Sequence, residues 1–143
     1  MQISSKKAFT MVELVFVIVV IGILSAIAIP KFAATRDDAV ITKGMVTLAS
    51  VRSAIATERQ KRILRGDFSP ISDLGDATYA FSNFDGNTSH PVLEYPVKHG
   101  TTSGKWERNN PIYTFHYFGG GSCDFNLTGN RLKSVGTCTE FGD

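Results

Sequence analysis

Residues 6–30 read KKAFTMVELVFVIVVIGILSAIAIP, and the organisation of the rest of the chain follows from this stretch. Within residues 9–29 only Thr10, Glu13 and Ser25 carry polar side chains. As a helix these 21 residues extend about 31 Å, which matches the hydrocarbon core of a bilayer. Lys6 and Lys7 precede the run, so the positive-inside rule leaves the N-terminus cytoplasmic and sends the following chain outward.

A cleaved secretory signal accounts for the basic start and the apolar run, and Ala26-Ile27-Ala28 resembles its small-residue cleavage site. The product would be a secreted binding protein. Two features oppose it: the run is longer than a usual signal core, and it contains Glu13. A carboxylate costs roughly 2.5–3.5 kcal/mol at the membrane centre, and less near the interface. A discarded segment gains nothing from that cost, whereas a retained one can use the charge to find a partner.

Residues 6–14, KKAFTMVEL, resemble the prepilin cleavage motif of type IV pilins and type II secretion pseudopilins. The resemblance implies that a prepilin peptidase cuts between Ala8 and Phe9 on the cytoplasmic side and N-methylates Phe9. Glu13 then becomes the fifth mature residue, where the family has its assembly glutamate. Gly22 and Pro30 stand where the family often carries a helix-loosening glycine and proline. Ala8 occupies a position where glycine is usual. An assembly ATPase and an inner-membrane platform are also implied, with this chain and other pilin-like subunits as filament partners. The resemblance covers about 30 residues and beyond them is architectural only.

A chain of 143 residues fits one domain with an appended segment. Residues 1–66 carry a net charge of +6 and residues 67–143 a net charge of −4, within an overall +2. The acidic C-terminal part disfavours direct nucleic-acid contact. Pro30 should kink the helix where it leaves the membrane. Beyond it Ile41, Met45, Leu48, Val51 and Ile55 recur at three-four spacing, with Val40 widening the stripe. Arg52 falls inside the stripe and is expected to run along it with its head in water. Arg59, Lys61, Arg62 and Arg65 read as a solvated, dipole-matched helix end stopped by Gly66, in preference to a nucleic-acid patch.

The sequence after residue 66 turns β-like. Residues 78–82 and 92–97 are weak strand candidates and 112–118 a strong one. Residues 123–128 and 131–135 flank Gly129-Asn130, a hairpin signal, with Phe125 and Leu127 on an apolar face and Asp124 and Asn126 on a wet one. Trp106 reads as a partly buried loop anchor. Cys123 and Cys138 suit a single disulfide in an oxidising compartment, with free thiols as the alternative. A two-residue turn would pair Cys123 with Gly136, so the disulfide is expected to need a bulge or a wider loop. His90, His99 and His116 are scattered, and neither a metal-ligand set, a catalytic constellation nor a cofactor motif is present. Asn87-Thr88-Ser89 and Asn126-Leu127-Thr128 are sequons, each preceded at two residues by aspartate (Asp85, Asp124), and Asn87 is the more accessible candidate.

The expected fold is α+β, with a long N-terminal transmembrane-plus-amphipathic helix packed on a small antiparallel head of three to five strands. The expected divisions are a leader (1–8), a polymerisation helix (9–29), an amphipathic helix (30–66) and a periplasmic β-rich head (67–143). The expected role is structural and non-enzymatic: a subunit of a pilus-like filament, anchored first in the bacterial inner membrane. A type II secretion pseudopilin is the first reading, a competence pseudopilin or a surface pilin the alternatives.

Overall fold

The computed structural model describes residues 8–142; most of the expected leader, including Lys6 and Lys7, lies outside the described residues. The chain divides between Arg36 and Asp37 into two compact units. One long helix, α1 (Met11–Leu64), contributes to both. It starts where Thr10 Oγ1 accepts the Glu13 N–H at 3.2 Å, the side-chain cap expected of a Thr-x-x-Glu start. Pro30 lies inside α1, and the helix runs on past it.

In the second unit α1 buries Gly44, Leu48, Val51, Ile55, Glu58 and Arg62. This row keeps the three-four spacing but departs from the expected stripe at both ends. Met45 is 38% exposed, and the buried position is its neighbour Gly44. A Cβ added there would lie 2.6 Å from the Phe115 ring, so the close approach of helix and sheet requires glycine. The helix stops as expected: Gly66 adopts φ +77°, and Asp67 N–H reaches back to Arg62 O at 2.9 Å.

Among the described residues six strands follow, more than the three to five expected. β1 (Tyr79–Phe81) pairs with β2 (Val97–Lys98). β3 (Lys105–Asn109), β4 (Ile112–His116), β5 (Ser122–Thr128) and β6 (Arg131–Val135) form an antiparallel meander in that order. The architecture is α+β. Trp106 is not a loop anchor but the inward residue of β3, 1% exposed. The strand expected over 92–97 is mostly irregular, because Pro91 and Pro96 remove ladder donors and only Val97 and Lys98 pair. The core is aromatic: Phe81 stacks on Tyr113 at 5.3 Å, and Trp106 packs on Phe115 and Phe125.

The β5–β6 turn has two residues, with Thr128 opposite Arg131 and Asp124 opposite Val135. No bulge shifts the register, contrary to expectation. The chain instead bends at Gly136 (φ +81°) and brings Cys138 to Cys123, Cα atoms 5.7 Å apart, where the two are joined as a disulfide.

Candidate assembly site

The first unit presents an exposed apolar surface. Phe9, Met11, Val12 and Phe16 are between 68% and 82% exposed, and the most apolar window of α1 is 0% buried. A helix apolar on all sides in this way belongs in lipid or among other helices. Glu13 lies on this exposed surface, four residues after Phe9. Ala8 and Phe9 precede the helix in irregular, exposed backbone. Gly22 has nothing within 4 Å of the place a Cβ would take.

The second unit is fastened by a polar clasp that the sequence reading missed. Arg62, expected to be solvated, is 7% exposed. It meets Glu58 at 3.1 Å and Asp85 at 2.7 Å. Glu58 also takes His90 Nδ1 at 3.0 Å and Arg65 at 3.5 Å. Asp85 holds a left-handed backbone (φ 52°) and accepts the N–H groups of Ser72 and Asp73 and the Ser72 hydroxyl. A second node joins Asp73 to Arg108 and to the Tyr113 hydroxyl, which in turn accepts the Leu74 N–H. Together the nodes tie the segment after α1 to both helix and sheet.

Burial pushes the Glu58 carboxyl up, but His90 and Arg62 more than offset it and hold it below the usual range. The same contest places Asp73 and Asp85 low: burial raises each, and hydrogen bonds led by Arg108 and Ser72 respectively, with Arg62 also acting on Asp85, bring it down. Burial, and then the neighbouring Asp73 charge, pushes the Tyr113 phenol well up. The signal for this clasp was available: Glu58 and Arg62 are an i, i+4 pair that continues the buried row.

The remaining polar candidates are dispersed. His99 Nδ1 accepts the Arg108 N–H, and His116 Nε2 lies 2.8 Å from Glu107. Among the described residues no group of acidic, histidine and cysteine side chains could hold a metal ion. Arg52, expected to snorkel, donates to Leu132 O at 3.0 Å and lies 6.0 Å from the Phe125 ring centroid. Asn87 is exposed, its Oδ1 accepting the Ser89 N–H, whereas Asn126 lies within β5 with its Oδ1 buried.

The family described as the prokaryotic N-terminal methylation motif matches residues 3–29. The type IV narrow pilus major component PilA5 of Thermus thermophilus is 51% identical over 59 residues, covering 40% of this chain and 51% of that protein. A fimbrial protein of Moraxella nonliquefaciens is 35% identical over 57 residues, covering 40% of this chain and 37% of that protein. The chain thus spans about half, or less, of the length of these relatives. No solved structure matches it. The N-terminal segment is type IV pilin-like, and the likeness lies where the exposed apolar helix and Glu13 are.

Proposed function

We infer that this chain, type IV pilin-like in its N-terminal segment, is a structural subunit of a filament assembled from the inner membrane. The observation that carries the inference is the wholly exposed apolar part of α1, which bears one carboxylate, Glu13, near its start. Lipid satisfies the apolar surface before assembly, and neighbouring helices satisfy it afterwards. Cleavage by a prepilin peptidase between Ala8 and Phe9 creates a new α-amino group. In the filament Glu13 pairs with the Phe9 amine of a neighbouring copy, so neither charge is buried alone. Gly22 and Pro30 loosen the helix for packing, an assembly platform drives extrusion, and the head is held in the periplasm. Asn87, at an exposed loop tip, is the acceptor of choice where the host glycosylates such sequons.

Two machines fit this chemistry. The small head of residues 67–143 supports a pseudopilus, as in type II secretion or DNA uptake. The likeness to a pilus component and a fimbrial protein supports a surface pilus.

Glu13→Ala tests the filament reading. The variant should insert in the membrane and be cleaved like the wild type, yet enter sheared filaments poorly. Normal incorporation, scored by immunoblot of the sheared fraction beside wild type, would show that the carboxylate is dispensable.

A further inference from the structure

The exposed apolar surface of α1 does not stop at Ile29 and Pro30. Phe32, 73% exposed, follows one helical turn after Ile29, which is itself 68% exposed. The positions three and four residues before Phe32 are Ile29 and Ala28, so the ring extends the apolar surface of the run by one turn. Beside it stands Lys31. Its helical neighbours at three and four residues are Ile27, Ala28, Ala34 and Thr35, so no carboxylate of this helix reaches its ammonium. Lys31 is exposed and takes part in no ion pair among the described residues. The turn that carries the two residues is regular, with the Thr35 hydroxyl donating to Lys31 O at 3.0 Å.

Height and direction single out what these side chains meet. At the helical rise, Lys31 and Phe32 lie about 3 and 4.5 Å past Ile29. The headgroup layer extends about 5–7 Å beyond the hydrocarbon core, so both residues fall within it. Long side chains on a helix lean toward its N-terminus, which here is the direction of the lipid. The Lys31 ammonium is carried back toward the phosphates instead of out into water, and the Phe32 ring is laid on the acyl boundary. Insertion does not call for this lysine, because the positive-inside bias places cations on the other flank.

We propose that Lys31 and Phe32 form an interfacial anchor for anionic phospholipid of the outer leaflet. The ammonium binds the phosphates, and the ring holds the acyl boundary. The anchor rests on the filament reading, in which lipid holds the subunit before assembly. It fixes the depth of the waiting subunit and is released when the subunit leaves the bilayer.

The test uses the full chain carrying Phe32→Trp, reconstituted in vesicles of phosphatidylcholine and phosphatidylglycerol. The signal of buried Trp106 is subtracted with the unsubstituted chain. Nitroxides near the headgroup should quench the new tryptophan more than nitroxides at the acyl-chain ends. With the headgroup-proximal label, quenching should report about fivefold enrichment of phosphatidylglycerol over phosphatidylcholine around position 32. Adding Lys31→Gln should remove that preference and leave the chain inserted. Equal quenching by the two lipids, a preference that survives Lys31→Gln, or strongest quenching from the chain ends would overturn the anchor and leave the membrane-held subunit standing. Protection of the tryptophan from every lipid label, and from iodide in the water, would assign position 32 to a protein contact and overturn the anchor as well. A chain that does not enter the vesicles would sink both readings.

Discussion

Arg62 decides more of the head's stability than its place in a basic cluster indicates. Its side chain is 9% exposed and bridges Glu58, itself 6% exposed, to Asp85. Replacing it by alanine leaves two carboxylates close together without their shared cation, one of them buried. Breaking a buried pair from one side costs about 3 kcal/mol or more. Arg62→Ala should therefore lower the unfolding midpoint of the full chain in detergent, followed by urea titration with near-UV signal from Trp106. A loss below about 0.5 kcal/mol, the scale of ordinary surface substitutions, would contradict the clasp. The pH dependence has a definite sign. The folded values of Glu58, Asp73 and Asp85 lie below their unfolded ones, so their stabilisation is complete above about pH 4–5 and is lost as pH falls through the folded values. Wild type should lose stability steeply in that acid window, and Arg62→Ala less steeply. Charge alone made Arg62 read as solvated. Its i, i+4 spacing from Glu58 continues the buried row and was readable, but its second partner, Asp85, lies 23 residues away, where no local pattern reaches.

At the scale of elements, legibility followed alternation. β5 and β6 were readable because Phe125, Leu127 and Leu132 alternate with polar residues around a Gly-Asn turn. β3 was not, because Trp106 is its one large apolar residue among Lys105, Glu107 and Arg108. The charges face out or pair with Asp73 and His116, and only the partner strand makes them strand residues. Apolar spacing selected Met45 on α1, but the sheet lies too close for a side chain, and Gly44 faces it. Gly44→Ala tests this contact. An added methyl removes the helix cost of glycine, worth about 1 kcal/mol, yet collides with the fully buried Phe115 ring. The variant should be destabilised by about 1–2 kcal/mol in the same urea titration, and Phe115→Leu should relieve part of the loss. A stabilised Gly44→Ala would mean that helix and sheet are farther apart.

For the molecule as a whole, the concentration of apolar residues near the N-terminus was legible in the sequence and falls in the first of two units with different chemistry, whereas the change of net charge at residue 66 falls inside the second. The first has an exposed apolar helix segment and one carboxylate, Glu13; the second is closed by an aromatic core, a polar clasp and a disulfide. Glu13 stands out in the sequence because a charge interrupts an apolar run, and Phe9 because the run starts there. The partner proposed for Glu13 belongs to another copy of the chain, so no pattern within one chain points to it. Processing links the two scales, because only cleavage before Phe9 creates the amine that Glu13 is proposed to meet. Intact-mass measurement of the chain recovered from sheared filaments tests this most directly. The account predicts a chain that lacks residues 1–8, starts at Phe9 and carries one added methyl group. A soluble mature chain starting at Ile29, with none in filaments, would contradict it.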